Sequence, residues 1–177
     1  MKKSIGSLAA LAVPAALNAT VMLSSISNIA FTSGSDLDID GDGSSDFYLG
    51  GWDNYINASG IGLIAIDGSY NIDRLSEGEF INDGLSYDYG APISSAGGIF
   101  YAGVEFDISG GTHYGWLKID AGDTGALEEI TILAAAWESS ADTEISAGAI
   151  PEPRETVAAL GLFAGLVALF RKRFRKG

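Results

Sequence analysis

The chain has 177 residues, no cysteine, 23 acidic and ten basic side chains, and a formal charge of −13 at pH 7. Without cysteine, disulfides, iron–sulfur clusters and thiol nucleophiles are excluded. Between Thr20 and Ile150 lie 21 acidic residues against two cations, Arg74 and Lys118, a net charge near −19. Such a surface repels nucleic acid and anionic lipid and attracts cations.

Lys2 and Lys3 precede an apolar stretch at 5–17, and the small residue Ala19 follows. A charged start, a hydrophobic middle and a small cut site make residues 1–19 a secretory signal peptide, with a signal helix and cleavage after Ala19. The predicted recognition positions are Leu17 and Ala19.

From Thr20 to Ile150 no helical periodicity stands out. Gly, Ser, Asn and Asp punctuate short runs of β-branched and aromatic residues, so 20–138 is predicted to be one all-β domain. The expected form is an antiparallel, jelly-roll-like β-sandwich. Residues 21–31 read as a first strand, or as a pair with a break near Ser27 and Asn28, and 47–49 and 61–66 are further strands. The acidic excursion at 74–89 has no legible periodicity.

Residues 99–108 alternate cleanly. Phe100, Ala102, Val104, Phe106 and Ile108 share one face, while Tyr101, Glu105 and Asp107 share the other, which is expected to meet water. Gly110 and Gly111 turn the chain into a partner strand at 113–121, predicting a hairpin. Residues 127–137 are apolar on both faces, as a strand covered on both sides would be. The small, polar residues 139–149 read as a linker.

Residues 150–177 form a three-part tail. Pro151, Glu152 and Pro153 come first, an uninterrupted apolar run at 157–170 follows, and five of the last seven residues are Lys or Arg. A basic tip suits a hydrophobic helix that halts in a membrane with its end in the cytoplasm. As a helix the fourteen-residue run spans about 21 Å, short of a hydrocarbon core of about 30 Å, which favours a transient stop that is later cut.

This tail resembles the PEP-CTERM sorting signal of exported Gram-negative proteins, although Arg154 and Glu155 stand where that family usually has Ser or Thr. The resemblance implies an exosortase-type processing enzyme as partner. It also implies passage through the inner membrane to the cell surface, outer membrane or extracellular polymer. The DIDGDGSSDF run at 38–47, THYGWLKI at 112–119 and the C-terminal ending are similar to small PEP-CTERM proteins of Verrucomicrobia-like bacteria. That likeness implies an architecture and no activity.

Three constellations bear on chemistry. Asp38, Asp40, Asp42, Gly43 and Asp46 fit D-x-D-x-D-G-x-x-D, the opening of an EF-hand-type calcium loop, with Ser44 where a backbone carbonyl ligates. Alternating carboxylates around a glycine turn bring several oxygens to one point, as a hard cation requires. The twelfth position is Leu49, so the bidentate Glu is missing and calcium would bind weakly; a plain Asp-Gly hairpin turn is the alternative.

Tyr114, Trp116 and Lys118 share one strand face. If Leu117 and Ile119 point to the core, the rings make a sugar-stacking platform with Lys118 as its polar handle, extended by Trp52, Asp53 or Tyr101. The competing expectation is that these rings pack inside the fold.

Catalysis has little support. His113 is the single histidine, no G-x-S-x-G elbow is present, and a three-histidine zinc site is impossible. A carboxylate pair such as Glu105 and Glu128 arises readily by chance in so acidic a chain. The expectation is therefore an exported, non-catalytic surface or matrix protein with calcium as its ion. The alternative is a carbohydrate-binding module acting on extracellular polysaccharide.

Overall fold

The computed structural model describes residues 19–30, 35–50, 55–58, 62–94, 96–123 and 130–151. The signal segment before Ala19, both predicted terminal helices, Glu152 and Pro153 lie outside this set.

The described residues are all-β. In chain order the strands are β1 (Val21–Ala30), β2 (Ser35–Leu37), β3 (Phe47–Gly50), β4 (Tyr55–Ala58), β5 (Leu63–Ala65) and β6 (Phe80–Ile81). They continue with β7 (Tyr87–Asp88), β8 (Gly90–Pro92), β9 (Ile99–Ile108), β10 (Gly111–Asp120), β11 (Thr131–Glu138) and β12 (Ile145–Ser146). Every pairing is antiparallel. A six-stranded sheet runs β1-β11-β10-β9-β5-β7, a four-stranded sheet runs β2-β3-β4-β8, and β12 pairs with β6.

The β9–β10 hairpin anchors the larger sheet. Ten residue pairs run in unbroken register from Gly111 opposite Ile108 to Asp120 opposite Ile99. Ser109 and Gly110 form its two-residue turn, both at positive φ (56° and 86°), which matches the right-handed twist of the strands. The Asp107 carboxylate closes the turn by accepting the Gly110 N–H at 2.7 Å. In β1 the register shifts between Leu23 and Ser27, and Asn28 takes φ 53°, so the expected interruption is there as an irregularity within one strand.

One hydrophobic cluster joins the two larger sheets. Phe100, Ala102, Val104, Phe106, Leu117, Ile119 and Ile132 from one meet Leu37, Phe47, Leu49, Ile56 and Ala91 from the other. Each fully buried large side chain of this kind contributes roughly 1.5–3 kcal/mol.

The opposite face of β9 and β10 is covered too, which corrects the expectation that it meets water. Tyr101, Tyr114 and Trp116 are buried with Leu75, Ile81, Ile145 and Ala147 in a second cluster. The cover comes from the acidic excursion and the C-terminal segment. Leu75 exchanges backbone hydrogen bonds with Tyr101 (2.9 and 3.0 Å), and Ile145 pairs with Ile81. Gly103 permits this close approach: a Cβ there would lie 3.2 Å from Ile81 and 3.3 Å from Ala65.

Residues 139–149 are consequently no linker. Ile145 and Ala147 are buried, Gly78 donates to the Ala147 carbonyl, and Ala147 donates to the Glu79 carbonyl. The period-two spacing of Ile145 and Ala147 among small polar residues is what packs this segment onto the sheet. Ile145→Ala is expected to cost about 2–4 kcal/mol, read as a lowered urea midpoint at unchanged slope; a free linker would show no change.

Candidate metal centre

The acidic loop runs from the end of β2 to the start of β3. Leu37, Ile39, Phe47 and Leu49 are buried, and Asp46 N–H donates to the Leu37 carbonyl at 2.9 Å, closing its base. Gly41 to Ser44 stand in solvent between these anchors. Gly41 and Gly43 have φ of 80° and 91°, with open space where a Cβ would go. Backbone conformation, not crowding, is therefore what requires glycine at both positions.

The loop's own amides arrange its carboxylates. Asp38 accepts the Gly41 N–H at 2.7 Å and the Gly43 N–H at 2.9 Å, one on each oxygen. Asp40 accepts from Asp42 N at 3.0 Å, and Asp42 accepts from Ser44 N at 2.6 Å. One oxygen from each of Asp38, Asp40 and Asp42 lies within 4.8 Å of the others. Two oxygens on one calcium ion can be up to about 5 Å apart, so this donor set fits that ion.

Asp46 is not among those converged carboxylates. Asp46 turns to the base of the loop and accepts the Ile39 N–H at 2.7 Å. Leu49, at the twelfth position, is in the core and contributes no ligand. Calcium takes six to eight oxygens, so loop carbonyls and water would complete the shell.

The electrostatics leave the loop short of positive charge. Burial raises the Asp40 carboxyl above its ordinary range, and the charges of Asp42 and Asp38 push the same way against the Asp42 amide. Asp46 is pushed up to about 6, first by burial and then by Asp40 and Asp38, with the Ile39 and Asp40 amides opposing. A carboxylate with a raised folded pKa costs stability once ionised, and protonation removes that cost. In calcium-free buffer Asp46→Asn should therefore raise the melting temperature at pH 7–8. The advantage should fade as pH falls through about 6 towards 4; thermal melts in chelator across that range check it.

The proposed sugar platform is corrected by burial. Tyr114 is 6% and Trp116 3% exposed. Trp116 meets the Tyr101 ring edge-on at 5.4 Å and donates its Nε1–H to the Ala149 carbonyl at 3.2 Å. Tyr114 lies 6.4 Å from the Tyr87 ring. These rings have no free face because the second layer covers them. Trp52, Asp53 and Glu128 lie outside the described residues, while Glu105 is half-buried. His113 is buried beside Phe106 and Trp137, and its Nδ1–H donates to the Glu138 carbonyl at 2.8 Å.

Lys118 keeps a different role. With Arg74, Ser76, Glu77, Ile99 and Tyr101 it lines a cavity of about 460 Å³. The only two cations between Thr20 and Ile150 therefore meet at one place. Arg74 stacks 3.8 Å above the Phe100 ring and donates to the Ala96 and Gly97 carbonyls, both at 2.9 Å. Sequence reasoning did not place Arg74 in a site. Its one signal was the rarity of positive charge in this stretch.

No family model, curated protein or solved structure matches the chain. The local geometry of the acidic loop, with its three converged carboxylates, carries the functional reading.

Proposed function

We propose that the chain is an exported, non-catalytic cell-surface or extracellular-matrix protein, a two-layer β-sandwich that binds calcium through the 38–46 loop. Convergence of Asp38, Asp40 and Asp42 within 4.8 Å is the observation that carries the ion-binding part. The core shared by the two larger sheets supports the sandwich. The signal-like start and the PEP-CTERM-like tail with Pro151, Glu152 and Pro153 support export, membrane transit and processing by an exosortase-type enzyme. The acidic shell keeps the protein soluble and lets divalent ions bridge it to anionic polymer. Cell fractionation with and without residues 150–177 tests the destination. Loss of surface delivery on removal supports it, and an unchanged distribution removes it.

A second reading, as a binder of acidic polysaccharide, has its own support in the cavity lined by Arg74 and Lys118. Its volume falls in the usual range for ligand pockets. Two cations suit a carboxylate, and the Glu77 carboxylate and Ser76 hydroxyl beside them suit sugar hydroxyls, a combination that a uronic acid offers. Calorimetry with galacturonate and glucuronate oligosaccharides tests it. Heat that disappears in Lys118→Gln supports the reading, and no heat with the wild type ends it.

A further inference from the structure

We propose that Glu138 is the seat of the α-ammonium group that cleavage after Ala19 creates on Thr20. The inference rests on the exported reading above and adds to it a processed terminus that completes the fold.

Glu138 closes β11 and is only 4% exposed. Glu138 and His113 are the buried polar or charged side chains among the described residues, and His113 engages the Glu138 backbone carbonyl rather than its carboxylate. Among the described residues the donors to the carboxylate are uncharged: Thr20 N–H at 2.6 Å, Ser140 N–H at 3.1 Å and the Ser139 hydroxyl at 3.4 Å, each on Oε1. A carboxylate this little exposed is held more firmly when one of its donors carries positive charge than when all are neutral.

The sequence places such a charge on the nearest of these donors. In the precursor the Thr20 nitrogen is an amide. Hydrolysis of the Ala19–Thr20 bond adds hydroxyl from water to the Ala19 carbonyl carbon and a proton to the departing nitrogen. Ionisation then leaves a carboxylate on Ala19, and the Thr20 amine becomes an ammonium with three donors. An α-amine has an ordinary pKa of about 7.7–8.0, so it is largely charged at neutral pH.

Two details fit a cut at this bond. Strand β1 begins at Val21, opposite Glu138, so cleavage leaves the strand whole. Ser139 N–H donates to the Thr20 carbonyl at 3.0 Å, holding the new terminus in place after the leader is gone. A cut one residue earlier would carry the charge about 3.8 Å along the chain, and one residue later would delete the donor. The uncut chain lacks the pair, which keeps it less stable while it must still cross a membrane unfolded.

The test uses the whole chain, tail included, in an exporting host. Wild type and Glu138→Gln are compared as cleaved product and as a precursor kept uncut by Ala19→Phe, which denies the peptidase its small residue. The N-terminal residue is read by mass spectrometry, and stability by urea-dependent protease resistance. The expected product starts at Thr20, and cleavage raises the wild-type midpoint by about 1 M while leaving Glu138→Gln within about 0.2 M. A different N-terminus overturns the cut site and this proposal together. A Thr20 start with equal gains in both chains overturns the ammonium seat alone. Should Glu138→Gln fail to fold, the wild-type α-amine is titrated by NMR. A pKa above the ordinary range supports the seat, and an ordinary value removes it.

Discussion

Calcium at 10 mM is expected to raise the melting temperature of the wild-type chain by about 8 °C, and Asp40→Asn to abolish most of that rise. The magnitude follows from linkage: a site with an affinity near 0.1 mM gains about 2.7 kcal/mol at a hundredfold excess of ligand, and a chain of this size gains a few degrees per kcal/mol. Asp40→Asn is the informative variant because Asn retains an oxygen to accept the Asp42 N–H, so the turn survives while the charge is lost. Its effect should change sign with the ion. In chelator the variant should be slightly more stable than wild type, since burial and then the charges of Asp42 and Asp38 disfavour the ionised Asp40; with calcium it should be less stable. Calorimetric melts with and without calcium measure both signs. A melting temperature indifferent to calcium would leave the loop as a hairpin connection.

Trp116→Ala should destabilise the fold more than Ile145→Ala does, costing about 3–5 kcal/mol. The indole is 3% exposed, lies edge-on to Tyr101 and is bonded to the Ala149 carbonyl. Truncation therefore opens a cavity and releases the C-terminal segment from the sheet. Trp116→Phe should recover most of the packing and lose the Nε1–H bond, at about 1 kcal/mol. Denaturant unfolding measures both. If Trp116 were a solvent-facing sugar platform, the alanine change would alter stability by less than about 0.5 kcal/mol and sugar binding by much more. The two readings thus differ most sharply at this residue.

The hairpin was legible because its evidence is local. Alternation along 99–108, two residues able to turn, and a second β-rich run place β9 and β10 within a residue or two of their observed ends. The acidic loop was legible for the same reason: its spacing and glycines act over nine residues, and Asp38, Asp40 and Asp42 do converge. Asp46 was less predictable. Its direction depends on the buried Ile39 beside it, whose amide draws the carboxylate inward.

The short strands β6, β7 and β12 were not legible, since two residues carry no periodicity. Leu75 and Ile81 look like isolated apolar residues in an acidic stretch until Ile145 and Ala147 arrive from more than sixty residues away. Arg74 and Lys118 likewise meet only because Leu75 bridges to Tyr101 on the part of β9 that β5 does not reach, while Lys118 pairs with Tyr101 from the other side.

By itself the sequence determined an all-β body, the position and donor types of the acidic loop, and which residues of β10 share a face. Tertiary structure alone decided what covers each face. Alternation sorts side chains into two sets and is silent about what packs on either, so Tyr114 and Trp116 could be read as a platform until residues 74–88 and 139–149 closed over them. The same holds for Glu138 and Thr20. A carboxylate and a backbone nitrogen 118 positions apart meet because Val21 at the start of β1 pairs with Glu138 at the end of β11, and no local pattern encodes that meeting.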